Sequence, residues 1–398
     1  MRTSTKILPL AIAMAFGSVY AQAADSESVA KAIADSNVKL SLRYRYEGVD
    51  QDGLDEEASA NTVKARVTAT TGKYSGWNAV VEFDYVAELF DEDYNNTING
   101  NTTYPVVADP DGADLNQSFL QYTSEAGTKF SLGRQRVNHN NQRFVGGVAW
   151  RQNEQTFDGA RIQSKVSDQL SLDYTYSYRV NRIFGSKNPN GDLDADLHLL
   201  NAVYTPAKGH KVSAFYYSMD FDDALALSNS TVGVDYNYKS ESGIGVHLAY
   251  AAQSDTGDNP VSYDADYYAI DVSAKVSKVT LAAGIESLGS DNGKGFVTPL
   301  ATLHKFQGFS DKFLGTPGTG VEDLWFKVAT KVGGVGLAAW YHQFDAETGG
   351  ADLGSEIDLV ANYSISKNYK LLFKYASYDA ETHATDTDKV WLQLFAKY

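Results

Sequence analysis

The feature that most constrains this chain is a period-two alternation of apolar and polar residues that recurs along its length, with almost no helical periodicity. In the first run Val38, Leu40, Leu42, Tyr44 and Tyr46 alternate with Lys39, Ser41, Arg43 and Arg45. Its counterpart near the last residue sets Val390, Leu392, Leu394, Ala396 and Tyr398 against Lys389, Trp391, Gln393, Phe395 and Lys397. Sixteen runs of the same kind lie between them, which predicts eighteen strands. Leu170 to Tyr178, Val232 to Tyr238 and Ile357 to Tyr363 alternate cleanly, whereas Leu197 to Tyr204 and Val212 to Met219 are ambiguous in face.

The connections alternate as well. Short ones include Glu125-Ala126-Gly127, Ser167-Asp168-Gln169, Glu241-Ser242-Gly243, Gly333-Gly334 and Lys367-Asn368. Long ones run from about Ala87 to Asn116, Val137 to Asp158, Asn181 to Asp194 and Asp291 to Gly320. Transmembrane barrels pair short periplasmic turns with long external loops, and an even strand count puts both ends of the sheet on the periplasmic side. Pro105, Pro110, Pro189, Pro206, Pro260, Pro299 and Pro317 all fall in predicted connections, because proline cannot donate to a strand ladder. The 26 tyrosines and 18 phenylalanines suit aromatic girdles. Trp77, Tyr238, Tyr363, Tyr369 and Tyr398 are expected at the periplasmic rim, and Tyr46, Tyr85, Tyr178, Tyr250, Tyr268 and Tyr341 at the outer one. The expectation is an all-β transmembrane antiparallel barrel of about 18 strands, one domain over residues 24–398. A large soluble β-sandwich or β-solenoid would alternate similarly. The lack of a fixed repeat counts against the solenoid, and the short–long rhythm favours the barrel.

Residues 1–23 read as a secretory signal peptide. Arg2 and Lys6 precede an apolar stretch from Ile7 to Val19 and the small-residue site Ala21-Gln22-Ala23. The stretch is too short for a membrane anchor, which needs about 20 residues. Its removal takes the formal net charge from −16 to −18, with 32 Lys and Arg left against 50 Asp and Glu. Nucleic-acid binding wants a basic stripe, so nucleic acid is not an expected partner. No apolar stretch is long enough for a transmembrane helix. Cysteine is absent, so neither a disulfide framework nor a cysteine metal site can stabilise the chain.

Two stretches are more specific. One runs Gly133-Arg134-Gln135-Arg136-Val137-Asn138, through Asn141-Gln142-Arg143-Phe144-Val145-Gly146, to Trp150-Arg151-Gln152-Asn153-Glu154-Gln155-Thr156-Phe157-Asp158. The other runs Thr298-Pro299-Leu300-Ala301-Thr302-Leu303-His304, then Phe309-Ser310-Asp311-Lys312-Phe313-Leu314. Together with the opening strand Leu42-Arg43-Tyr44-Arg45-Tyr46-Glu47, they resemble the alginate-export family of outer-membrane porins. That resemblance implies a monomeric eighteen-stranded barrel. It also implies an arginine-rich lumen that passes an anionic uronate polymer.

In a membrane barrel the polar face of each strand points into the lumen. Alternation assigns to that face Lys39, Arg43, Arg45, Lys64, Arg66, Arg161, Lys165, Arg179, Lys327, Lys331, Lys370, Lys374, Lys389 and Lys397. The acids are fewer: Glu82, Asp84, Asp173, Asp235, Asp271, Glu286, Asp323, Glu356 and Asp358. Closure would set the last strands beside the first, gathering Lys370, Lys374, Lys389, Lys397, Arg43, Arg45, Lys64 and Arg66 into one basic wall. Rings of Arg and Lys favour anions; alternatively, these residues pair with Glu82, Asp84 and other acids to stiffen the wall. The Arg136–Asp158 segment, with Arg143 and Arg151 among amides, suits carboxylates and hydroxyls, as does the adjacent Arg134. It forms the constriction if it folds inward and a cap if it stays outside. The segment from Gly295 to Gly315 carries Phe296, Leu300, Leu303, Phe306, Phe309 and Phe313. An exposed apolar patch of that kind is a liability, so it is expected to pack into the barrel mouth.

The acidic excess lies in loops: Asp50, Asp52, Asp55, Glu56 and Glu57; Asp91, Glu92 and Asp93; Asp109, Asp111 and Asp114. Calcium prefers such oxygen-rich loops, yet none has EF-hand spacing, and solvated loops facing lipopolysaccharide are the plainer reading. No cofactor is expected. Hydrolase, zinc-protease and phosphate-loop motifs are missing, and the histidines form no ligand pair at helical spacing. The chain is therefore expected to be a channel in the outer membrane of a Gram-negative bacterium. It would be inserted by the barrel-assembly machinery among lipids and lipopolysaccharide, and would admit small anionic solutes such as sugar acids or uronate oligomers. The alternatives are a general porin with weak cation preference, or a plugged structural or adhesive barrel.

Overall fold

The computed structural model describes residues 25–90 and 92–398; the expected signal peptide and Asp91 lie outside the described residues. After a short helix α1 (Val29–Ala34), the sheet opens with β1 (Asn37–Gln51), β2 (Ala58–Thr70), β3 (Trp77–Glu88), β4 (Gly112–Thr123), β5 (Lys129–Gln135) and β6 (Thr156–Lys165). It continues with β7 (Leu170–Asn181), β8 (Asp192–Tyr204), β9 (His210–Phe221), β10 (Asn229–Lys239), β11 (Ile244–Asp255) and β12 (Asp264–Val276). The last strands are β13 (Val279–Leu288), β14 (Val321–Val332), β15 (Val335–Asp345), β16 (Asp352–Ser364), β17 (Tyr369–Ala380) and β18 (Thr387–Lys397).

Each strand pairs antiparallel with its sequence neighbours, and β18 returns to β1, with Ser41 opposite Lys397 and Gln51 opposite Thr387. The 18-stranded sheet is therefore closed. Closure leaves no row of unpaired N–H and C=O groups, the condition a spanning sheet must meet in lipid. All seven prolines from Pro105 to Pro317 lie outside the strands, as their missing donor requires.

One end of the barrel carries tight turns and the other the long connections. The β5–β6 loop (residues 136–155) and the β13–β14 loop (residues 289–320) pack inside the barrel, and Asp109 of the β3–β4 connection reaches in beside them. Outward positions are apolar and uncovered, Leu132 (66% exposed), Phe83 (56%) and Phe326 (52%) among them. Trp77, Tyr363, Tyr369 and Tyr398 stand exposed near the turn end and Tyr85, Tyr178, Tyr250, Tyr268 and Tyr341 near the loop end, as expected for two girdles.

The inner wall is not uniformly polar. On β8, β9 and β12 the inward positions include Leu197, Leu199, Phe215, Tyr217, Met219 and Tyr267, all buried. They form one cluster with Val145 of the β5–β6 loop and Phe296, Leu300 and Phe313 of the β13–β14 loop. Each such side chain contributes about 1.5–3 kcal/mol on burial, so the loops are seated by a hydrophobic core inside the barrel. This explains why the runs around Leu197 and Val212 were ambiguous in face: their outward side meets lipid and their inward side meets the loops.

Candidate functional site

The constriction begins with the arginines on the polar face of β1. Arg43 donates to the carbonyl of Ala149 (2.9 Å), to the side-chain oxygen of Gln152 (2.8 Å) and to the carbonyl of Arg151. Arg45 donates to the carbonyl of Trp150 (2.6 Å) and pairs with Glu47 (2.6 Å). Arg151 reaches back to Glu47 at 2.9 Å. Asp109, fully buried, lies 3.4 Å from Arg45 and 3.7 Å from Arg151 and accepts from the Gln152 amide. Burial alone would raise the Asp109 carboxyl, but Arg151 and then Arg45 hold it below the usual range. The β5–β6 loop thus folds inward, because wall guanidiniums satisfy its backbone carbonyls.

A second knot sits beside the first. Arg66 grips both oxygens of Asp84 (2.6 and 2.5 Å) and bonds Glu154 (2.6 Å). Arg136 bridges Glu82 (2.9 Å) and Glu154. Lys64 stands 3.9 Å from Asp84 and 4.0 Å from Glu154. Burial opposes ionisation of Glu154, yet Arg66, Arg136 and Lys64 bring it down to about 2. Removing one partner of such a buried set typically costs about 3–5 kcal/mol.

The β13–β14 loop is tied to the β5–β6 loop and to the opposite wall. Val145 and Leu300 form a parallel bridge, and the Gly146 amide donates to the Leu300 carbonyl at 2.8 Å. A Cβ on Gly146 would overlap Thr302 Oγ1, so the close approach of the loops requires glycine there. Arg143 donates to Glu286 (2.7 Å) and Gln307 (3.2 Å) and lies over the Phe306 ring at 4.7 Å. Glu356 on β16 accepts from the amides of Phe309 (2.5 Å) and Ser310 (2.8 Å).

Where the loops meet the wall, Trp150 stacks on His304 with centroids 3.9 Å apart, and Trp391 packs edge-on to both. Lys374 donates to His304 Nε2 (2.6 Å) and sits 3.0 Å from the Phe309 ring centroid. His304 Nδ1–H donates to Asp311 (2.8 Å), which lies 3.7 Å from Lys389. Burial, reinforced by Lys374, lowers His304 to about 3 against the pull of Asp311. The ring is therefore neutral at ordinary pH, and one of its nitrogens donates while the other accepts.

β17, β18, β1 and β2 are successive neighbours, and Arg43 faces Lys64 directly, so the basic residues of these strands lie side by side. The upper members of this basic wall do not line open space. Arg43, Arg45, Lys64, Lys374 and Lys389 are buried beneath the loops, and acids from Glu47 to Asp311 explain how so many like charges coexist. Arg161 faces the lumen paired with Asp173 at 2.5 Å. Lys370 and Lys397 lie exposed toward the turn end.

Two arginines depart from the inward parity expected of them. Arg179 was expected inside, but a bulge at Tyr178 shifts the parity of β7: Ser177 pairs with Gly159, whereas Arg179 pairs with Asp158 and Asp194 on the outward face. Arg134 shares the outward parity of Phe130 and Leu132, and binds Asp158 through two hydrogen bonds (2.7 and 2.8 Å). Arg134 nonetheless borders, with Asp84, Asn153 and Glu154, a cavity of about 150 Å3 at the loop end, which Arg179 does not reach. The Asp109-x-Asp111 motif, weighed as a calcium ligand, instead spends Asp109 on arginines and Asp111 on Lys187. Among the described residues no group of His, Cys, Asp and Glu is arranged to hold a metal ion. Glu47, Asp109, Glu154, Trp150 and His304 are parts of the constriction that alternation could not reveal, except that Glu47 shares the parity of Arg45.

Below the constriction two lumenal cavities open. One of about 410 Å3 is lined by Lys129, Asn138, Asn140, Arg161, Lys165, Asp173, Asn201 and Lys211. The other, about 190 Å3, is lined by Asn141, His247, Asp271, Glu286, Lys305, Asp323, Trp325 and Trp340.

A closed antiparallel barrel of 18 strands, narrowed by its own loops, defines an outer-membrane porin-like protein. The chain belongs to the alginate export family, whose model matches residues 35–271. Among solved structures it is similar to OccK9 (OpdG) of Pseudomonas aeruginosa, with a TM-score of 0.73 and 18% identity over 92% of this chain and 99% of that one. It is also similar to OccAB4 of Acinetobacter baumannii (TM-score 0.72, 15% identity, 92% and 98% covered). A third, Pseudomonas aeruginosa OpdK with vanillate, gives a TM-score of 0.73 and 15% identity over 92% and 99%. At these identities the likeness is one of fold. No curated protein matches the chain.

Proposed function

We propose that this protein is a passive channel, not an enzyme, that lets small hydrophilic anions such as sugar acids and short uronate chains cross the outer membrane. The observation that carries the reading is the charge of the larger lumenal cavity. Lys129, Lys165, Lys211 and Arg161 line it against one carboxylate, Asp173, which Arg161 already holds; Lys165 pairs with Asp168 of the adjoining turn, which leaves Lys129 and Lys211 as the excess. A narrow pore with low-dielectric walls focuses such an excess and raises the local concentration of counter-ions. The family's association with alginate export and a neighbour solved with vanillate agree with organic anions.

A second reading has its own support. The acidic external segment Asp50, Asp52, Asp55, Glu56 and Glu57 would favour cations at the outer mouth. Recordings of single channels in planar bilayers, with glucuronate and glucose added in turn, separate the two. Glucuronate is expected to interrupt the chloride current at millimolar concentration while glucose at the same concentration leaves it nearly intact. Equal effects of the two sugars would contradict recognition of the carboxylate, and an absence of conductance steps would make this a sealed barrel.

A further inference from the structure

Since the wall arginines are spent on holding the loops, the charges that select ions must lie elsewhere. Register places Lys397 opposite Ser41, two residues below Arg43 on the inward face of β1, and Lys370 opposite the inward Phe395. Lys39 shares the same face. Further round the barrel, Lys275 of β12 and Lys331 of β14 are the last inward residues of their strands at the turn end, and Lys129 is the first of β5. All six are exposed, and none makes an ion pair among the described residues. Of the two inward positions nearest the turn end on each strand, only Asp173 is a carboxylate, and Arg161 and Gln163 hold it. The turn end is the periplasmic one in membrane barrels.

We propose that these lysines form an anion-concentrating collar at the periplasmic mouth, continuous through Lys129 with the cationic cavity, and that the collar, more than the buried basic wall, sets the channel's ion preference. The inference rests on the anion-channel reading above. With acids crowding the external loops and uncompensated lysines at the opposite mouth, the pore is electrically asymmetric along its axis. A potential of about one kT changes the local anion concentration about threefold, and surface potentials reach several kT. The collar therefore takes multiply charged carboxylates best, and it takes them from the periplasmic side.

The test compares the wild-type protein with a variant carrying K39Q, K129Q, K275Q, K331Q, K370Q and K397Q, and with the matching Lys→Arg variant. All six positions are exposed, so the barrel should fold in each. Screening extends about 30 Å at 0.01 M salt and about 3 Å at 1 M. At low salt, wild type is expected to pass currents that differ roughly twofold or more between opposite voltages, an asymmetry that 1 M salt abolishes. Citrate should block from one side only. The Gln variant should lose the asymmetry and the one-sided block and show a weaker anion preference, with the cavity charges Lys211 and Arg161 still in place; the Arg variant should match the wild type in all three. A wild-type channel without anion preference overturns the proposed function itself. A selective wild type whose Gln variant keeps its selectivity and asymmetry overturns only the collar.

Discussion

Deleting Val390–Tyr398 is expected to abolish the inserted barrel outright. These residues supply nearly all of β18, whose ladder joins β17 on one side and β1 on the other, from Tyr369 opposite Ala396 to Gly48 opposite Val390. Without them the sheet has two open edges within the membrane. Each unsatisfied backbone group in hydrocarbon costs several kcal/mol, far beyond a net stability of about 5–15 kcal/mol. The deletion also removes Trp391, whose indole is fully buried against Trp150 and His304. Heat-modifiable mobility of protein recovered from the outer membrane is the measurement. A normal shift in the truncated chain would mean that closure through β18 is dispensable.

Excising residues 296–314 is expected to enlarge the conductance. The cut ends already meet: the Thr316 hydroxyl donates to the Phe296 carbonyl at 2.6 Å, and Gly295 packs on Thr316 and Pro317. The barrel ladder does not include this segment, so the wall should close without it. What disappears is the apolar wedge of Phe296, Leu300 and Phe313, along with the partners of Lys374, Glu356 and Arg143. The β5–β6 loop stays anchored by Arg43, Arg45 and Arg66, so the lumen is widened and not emptied, and the conductance should rise measurably above that of the wild type. Normal heat-modifiability with unchanged conductance would place the β13–β14 loop outside the permeation path.

The wall was legible because a spanning strand must alternate, and the chain has few other ways to satisfy its backbone in lipid. Eighteen strands, the turn–loop rhythm and the neighbourhood of β1 and β18 all follow from that rule. Alternation failed at Tyr178, since one extra residue in a bulge reverses the parity of all that follows; Arg179 is the casualty. The apolar character of residues 295–315 did announce a buried loop. The inward turn of the β5–β6 loop had no comparable signal. Its anchors pair residues far apart in sequence, Arg66 with Glu154 and Arg43 with Gln152, and a charge on one strand does not reveal its partner. Closure sets the basic residues of β17, β18, β1 and β2 side by side, and the pairs of Arg45 with Glu47 and Arg66 with Asp84 follow the alternative in which acids stiffen the wall. Reversing Arg43, Arg45, Lys64 and Arg66 to Glu would release the plug before it reported on selectivity.

The reversal potential of the wild-type protein in a potassium chloride gradient separates an anion-preferring channel from a cation-preferring or sealed barrel in one recording. Discrete conductance steps are expected, with a reversal potential displaced toward the chloride equilibrium value, most strongly at low salt, where a Debye length of about 10 Å at 0.1 M lengthens further. A reversal potential displaced toward potassium, or no steps at all from correctly folded barrels, would contradict an anion-preferring channel.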